Sequence, residues 1–341
     1  MKRNFMYVGN AVSNDISVFD LSDDGKAELI ETVPFEGVSV AGNATPLAIS
    51  PDRRFLYAGI RAAPFTVLTY AIDADTGRLR QLDRAALPDS MAYLSTDNSG
   101  RFLLSASYGG SVVAVNPISR DGVAGDPIQV LETGLNAHAI RTSPDNAYAF
   151  VTNLGADRIA AYRFDATKGQ LLAGDPPAIE LLPKSGPRHL IFSPDGRFVF
   201  VISEHSAQVL VFAYDAVSGG WQQRDAANVL PDGFAGTSAS ADVKITPDGR
   251  FVYASERNSS ILTLMHFDAT TGSLTAVDRF DTERQPRGFT IDPAGRFLAA
   301  VGELSNGLTV YAIDPLDGGL TAVCSHPTGL QPNWVEIVSF E

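Results

Sequence analysis

Ser193-Pro194-Asp195-Gly196-Arg197-Phe198 returns 53 residues later as Thr246-Pro247-Asp248-Gly249-Arg250-Phe251, and an earlier copy reads Ser50-Pro51-Asp52-Arg53-Arg54-Phe55. Weaker copies end at Phe102, Tyr148 and Phe297, and a matching strand opens at Phe5. The aromatic thus recurs at steps of 50, 47, 46, 50, 53 and 46 residues. Pro and Asp set a tight turn, Gly or Arg closes it, and a β-prone run follows. A second marker, Asp-x-x-x-Gly and its variants, runs in phase and puts glycine at 25, 77, 122, 169, 219, 272 and 318. One unit reads strand, Pro-Asp turn, strand, variable loop, strand, Asp-Gly turn, strand. Four antiparallel strands in 46–53 residues match the ~40–50-residue period of a propeller blade. The expected fold is all-β: a seven-bladed β-propeller of four-stranded antiparallel blades.

The ends of the chain complement each other. The strand before each Pro-Asp turn is expected at Thr45–Ser50, Met91–Thr96, His138–Ser143, Arg188–Ser193, Asp242–Thr246 and Arg287–Asp292, with a seventh copy at Asn333–Ser339 that no turn follows. The N-terminal segment begins on the second strand of a blade. Pairing the C-terminal strand with it completes the first blade and removes the open edges of a linear array. The phase never breaks, so residues 1–341 are expected to form a single domain, with longer loops near Gly37–Asn43 and Ala226–Ser240.

Composition narrows the partners. With 39 acidic and 26 basic side chains the net charge is −13, which repels phosphate backbones and anionic lipid surfaces. Nucleic acid and membrane are therefore not expected as partners. No apolar run reaches the ~18 residues of a membrane span. The start, Met1-Lys2-Arg3-Asn4-Phe5, carries no signal-like apolar stretch, which predicts a cytoplasmic protein. Cys324 is the only cysteine, so an internal disulfide and a thiolate metal cluster are both excluded; it reads as a packed small hydrophobe. A monomer or weak homodimer is expected.

The repeat also locates a site. If the first strand of each blade lines the central channel, its leading end and the trailing end of the second strand meet on one face of the disc. At the leading ends stand His138, Arg188-His189, Ala241-Asp242, Arg287 and Asn333. Six residues past the repeat aromatic stand Arg61, Tyr108, Glu204, Arg257 and Glu303. The remainder of these strands is mostly Val, Ile, Phe and Ala, which confines the expected polar set to one rim. It is a basic cluster with interspersed carboxylates, on a chain acidic elsewhere. Of the neighbours Glu256 and Arg257, only one can face the channel, and alignment with Glu204 favours Arg257. By strand alternation His189 should point away from the face of Arg188. Each of these groups also has a structural reading: Arg188 and Glu204, for instance, form a plausible inter-blade ion pair with no chemistry.

The phrases Gly186-Pro187-Arg188-His189-Leu190-Ile191-Phe192-Ser193-Pro194, Ala241-Asp242-Val243-Lys244-Ile245-Thr246-Pro247-Asp248-Gly249-Arg250, Gln285-Pro286-Arg287-Gly288-Phe289 and Gln331-Pro332-Asn333-Trp334-Val335 resemble the β-propeller lactonase family, whose best-known activity is that of 6-phosphogluconolactonase. The resemblance covers essentially the whole chain. The family also includes enzymes that lactonise carboxymuconate, with a proposed site of one His, two Arg and one Glu. By motif these fall on His138, Arg188, Glu204 and Arg257.

The resulting expectation is hydrolysis of an anionic, sugar-derived lactone at the channel mouth. Guanidinium groups would grip the anion and stabilise the oxyanion, and Glu204 or His138 would move the proton. His138, Glu204 and Arg188 are the expected catalytic residues; Arg287, Arg257, Arg61 and Asn333 are the expected substrate ligands. No metal ligand set is forced and no cofactor is expected. A lactonase for a non-phosphorylated aldonic or aldaric acid lactone, or a muconate-type cyclase, would use the same rim. From another class, the chain could be a non-catalytic propeller that binds a protein partner.

Overall fold

The two repeat markers are the two halves of one contact. The aromatic that opens the second strand of each blade lies over the turn glycine of the next blade: Phe5 on Gly77, Phe55 on Gly122, Phe102 on Gly169, Tyr148 on Gly219, Phe198 on Gly272, Phe251 on Gly318 and, closing the circle, Phe297 on Gly25. At Gly122 the fit leaves no alternative. Its φ is +78°, and a Cβ there would stand 2.2 Å from the Phe55 ring. Three tyrosines two residues further along reinforce the same joint. Tyr7, Tyr57 and Tyr253 donate their hydroxyls to the carbonyls of Gly77, Gly122 and Gly318 at 2.9, 2.9 and 2.6 Å.

The computed structural model describes residues 3–38 and 42–340. Met1, Lys2, Glu341 and residues 39–41 of the loop expected at Gly37–Asn43 lie outside the described residues. Seven sheets of four antiparallel strands follow one another along the chain, each in simple up-and-down order. Their inner strands are Leu47–Ile49, Met91–Thr96, Ala137–Thr142, Pro187–Phe192, Ser240–Ile245, Pro286–Ile291 and Pro332–Phe340. The last belongs to the first blade, where it pairs with Arg3–Asn10 from Arg3↔Phe340 to Asn10↔Pro332. We number the blades 1 to 7 from this closed one. The only helical element among the described residues is one 3-10 turn, Leu154–Ala156.

The inner strand of blade 2 is shorter than the expected Thr45–Ser50. Pro46 has no N–H to pair with blade 2's second strand, although its carbonyl still accepts from Gly59 N at 3.0 Å. The apolar core is divided among the joints between blades. Among the described residues it forms seven clusters, each shared by two neighbouring blades, including one between blades 7 and 1. The axis is left to polar groups. A cavity of about 280 Å³ is lined from six of the seven inner strands, with Tyr93, Arg141, Lys244, Thr290, Trp334 and Glu336 among its walls.

Candidate active site

Six of the seven inner strands carry a bulge at the leading end. In blade 5 the pairing passes from Pro187↔Ser203 to His189↔Ile202, so Arg188 is the unpaired extra residue. His138 holds the same place in blade 4, Arg287 in blade 7 and Asn333 in blade 1. A bulge re-aims the side chain it frees, and here the freed side chains share one end of the channel.

Arg188 is 1% exposed, and its Nε lies 3.1 Å from Glu204 Oε2. The same oxygen of Glu204 is 2.9 Å from Arg257 Nη2. Burial works against charge on Glu204, but Arg188 and Arg257 outweigh it and hold the carboxyl below its usual range. On blade 7, Arg287 Nη1 is 2.9 Å from Glu303 Oε1. Arg61, on blade 2, donates from Nε to Ser90 Oγ at 3.2 Å. Burial, then the neighbouring charge of Arg287, pushes the Arg61 guanidinium down to about 10. Burial also pushes Arg188 down, to about 9, with Arg257 and Arg287 adding to the effect. Glu256 turns away and accepts from the backbone N–H groups of Ala239 and Ser259, each at 2.6 Å.

His138 is 5% exposed, and its Nδ1 has no hydrogen-bond partner among the described residues. Its ring stands 5.9 Å from Tyr108 and 5.1 Å from His189, centroid to centroid. Burial first, then the neighbouring Arg188, His189, Arg287 and Arg61, drive its pKa well below 6.5. The imidazole is therefore neutral at neutral pH.

Two expectations need correction, on the direction of His189 and on the polar set. His189 does not turn away from Arg188: its Nε2 lies 3.2 Å from Arg188 Nη1, and its Nδ1 lies 2.8 Å from Asp242 Oδ1. Alternation predicts the opposite only for an unbroken strand, and the bulge at Arg188 resets the phase. Asn333 also has a structural role. Its amide donates to Gln331 O at 2.9 Å and accepts from Thr45 N at 2.9 Å, so it fastens blade 1 to blade 2. The polar set is not confined to a rim. Lys244 Nζ is 2.8 Å from Asp242 Oδ2, and Trp334 Nε1 donates to Glu336 Oε1 at 2.8 Å, both along the channel wall. Those pairs were within reach of the sequence, because Asp242 and Lys244, like Trp334 and Glu336, are two apart on one strand and share a face.

Among the described residues, no group of three or more His, Cys, Asp or Glu is arranged to hold a metal ion. The mouth brings together the guanidinium groups of Arg61, Arg188, Arg257 and Arg287, the carboxylates of Glu204 and Glu303 and the neutral imidazole of His138, a set suited to binding an anion and moving a proton beside it.

Residues 36–337 match the family described as lactonase, seven-bladed β-propeller. A 6-phosphogluconolactonase of Pectobacterium carotovorum is 39% identical over 287 residues, covering 84% of each chain. One from Serratia proteamaculans is 39% identical over 291 residues, 85% of each. Among solved structures, a periplasmic gluconolactonase of Pseudomonas aeruginosa superposes with a TM-score of 0.89 at 30% identity, covering 99% of both chains. The repeat, the closed ring and these likenesses agree: the chain belongs to the seven-bladed β-propeller lactonase family.

Proposed function

We propose that this lactonase hydrolyses the lactone of an anionic sugar acid, of the 6-phosphogluconolactone type, at the mouth lined by the bulge residues. The observation that carries the reading is the charge of that mouth. Arg61, Arg188, Arg257 and Arg287 gather there beside Glu204 and Glu303, with Asp89 near Arg61 and Asp242, itself paired with Lys244, near Arg188, on a chain whose net charge is −13. The local excess of cations suits a phosphate or carboxylate and disfavours a neutral ligand. The curated relatives named above support a phosphorylated substrate, which in turn favours a cytoplasmic setting.

In the proposed reaction, water adds to the lactone carbonyl and the oxyanion that forms is stabilised by a guanidinium of Arg188 or Arg257. His138 takes one proton from water and returns it to the ring oxygen as the C–O bond breaks, leaving a hydroxyl and a carboxylic acid that releases water's second proton to solvent as it ionises. The arginines that depress His138 in the free protein are the groups a bound anion would compensate. Binding should therefore raise the basicity of His138 when it is needed. Glu204 keeps Arg188 and Arg257 side by side. Arg61 and Arg287 grip the distant anionic group.

A second reading, a non-phosphorylated aldonic lactone, is favoured by the 99% coverage of the periplasmic gluconolactonase. The deciding experiment is a proton-release assay on a panel of sugar lactones with and without phosphate, corrected for spontaneous opening. Acceleration confined to the phosphorylated lactones supports the first reading, and equal acceleration of both supports the second. No acceleration for any lactone overturns both.

A further inference from the structure

An arginine that grips an anion is useful only if its planar fork is held in one orientation. Arg188, 1% exposed, is held from behind. Its Nη1 donates to the Ala241 carbonyl and lies 3.2 Å from His189 Nε2. The His189 ring, 4% exposed, then reaches Asp242 Oδ1 through Nδ1 at 2.8 Å, and Lys244 Nζ sits 2.8 Å from the other oxygen of Asp242.

The direction of these bonds follows from what each group can do. Arginine can only donate, and an ionised carboxylate can only accept. The proton of His189 must therefore sit on Nδ1, facing Asp242, which leaves the Nε2 lone pair to accept from Arg188. A charged ring would set N–H against N–H at Arg188. Burial, followed by the charge of Arg188, excludes that state by pushing His189 down to about 3. Asp242 is held ionised: Lys244 and His189 outweigh the burial that opposes its charge. The rings of Tyr93, His138 and Trp334 enclose the imidazole at 5.1, 5.1 and 5.9 Å.

We infer that His189 and Asp242 are positioning residues for the anion-binding arginine: Asp242 fixes the tautomer of His189, and His189 fixes the fork of Arg188 with its remaining N–H groups toward the mouth. The assignment of substrate contact to Arg188 rests on the lactone reading above, whereas the tautomer does not.

The two parts are tested separately. Nitrogen-15 NMR of the histidine side chains, with the His189 signal identified by its loss in His189→Leu, should show a neutral ring protonated on Nδ1 near neutral pH. In Asp242→Asn the amide can donate to Nδ1, and the proton should move to Nε2. A wild-type ring that is charged, or protonated on Nε2, overturns the inference whatever the protein catalyses. With the best substrate of the lactone panel, Asp242→Asn and His189→Leu should each lower kcat/KM about tenfold or more, as expected for loss of a hydrogen bond to a charged group. In an Arg188→Lys background, neither should lower it much further, because the group they position is gone. Losses that multiply in the double variants would assign the pair a merely structural role. If Asp242→Asn does not fold, the wild-type tautomer and the His189→Leu cycle still decide. A wild-type protein without lactonase activity would overturn the lactone reading and leave the NMR result to judge the tautomer.

Discussion

At the scale of single residues, the mouth is defined by what its cations do to His138. Burial and four neighbours, Arg188, His189, Arg287 and Arg61, all favour the neutral ring. Because kcat/KM reports groups of the free enzyme, its acid limb should lie below 6.5, the ordinary histidine value. Above that limb the profile should be flat to about pH 8 once spontaneous opening is subtracted. A limb at or above 6.5 would remove His138 as the base. Replacing it by His138→Gln should lower kcat by about 10²–10⁴-fold per folded molecule. Arg188→Lys keeps the charge but cannot reach Glu204, the Ala241 carbonyl and His189 with one planar fork. It should lower kcat/KM at least about tenfold, measured beside a thermal melt to separate folding from turnover. The positions of Arg188, Glu204, Arg257, Arg287 and His138 were legible because repeat arithmetic carries from blade to blade. The partnership of Arg188 with His189 was not: one unpaired bulge residue inverts strand parity, and nothing in the local sequence announces the insertion.

At the scale of elements, the joint between blades is built from one aromatic ring and one glycine. The contact is periodic, so both halves surface in the sequence as motifs, and the blade count could be read without knowing that they touch. Gly122→Ala should cost more than ~1 kcal/mol, because φ is +78° and the new methyl meets the Phe55 ring. Gly109, with open space where its Cβ would be, supplies the control: Gly109→Ala should stay within about 0.5 kcal/mol of the parent. Urea midpoints of the two variants make the comparison, and equal midpoints would show that the ring-on-glycine contact is dispensable. Irregular strand ends were harder to anticipate. Blade 2 loses part of its inner strand where Pro46 falls, and Asn333, which looks like a ligand by register, bonds to the backbone of Thr45 and Gln331. Equivalence of position carries over between blades, but a side chain's partner depends on the neighbouring blade.

At the scale of the whole molecule, the stability of the ring should depend on pH and on its closure. His138 and His189 are both buried with pKa values below the ordinary 6.5. As pH falls through ~6.5 the unfolded chain takes up those protons and the folded one does not, so stability declines from there downward. Asp242, depressed by Lys244 and His189, contributes stability above the ordinary carboxylate range that is lost as pH falls through its folded value. Melting temperature should therefore drop on the acid side of 6.5, and His189→Leu should blunt the drop. Closure is the larger dependence. The strand Pro332–Phe340 pairs along the length of Arg3–Asn10. It buries Val335, Ile337 and Val338 to 2, 8 and 3% exposure and half-buries Trp334. It also joins the clusters between blades 7 and 1 and between blades 1 and 2, and Arg53 Nη1 of blade 2 donates to its Ser339 carbonyl at 2.8 Å. Burying one such side chain is worth ~1.5–3 kcal/mol, against a net stability of ~5–15 kcal/mol for a folded domain. Removing residues 331–341 strips several of these side chains at once and leaves the inner edge of Arg3–Asn10 unpaired on the axis. The truncated chain should fail to give a soluble, cooperatively folding protein. Recovery of one with an unchanged melting temperature would mean that the ring is held by its other six joints and that the C-terminal strand is an accessory.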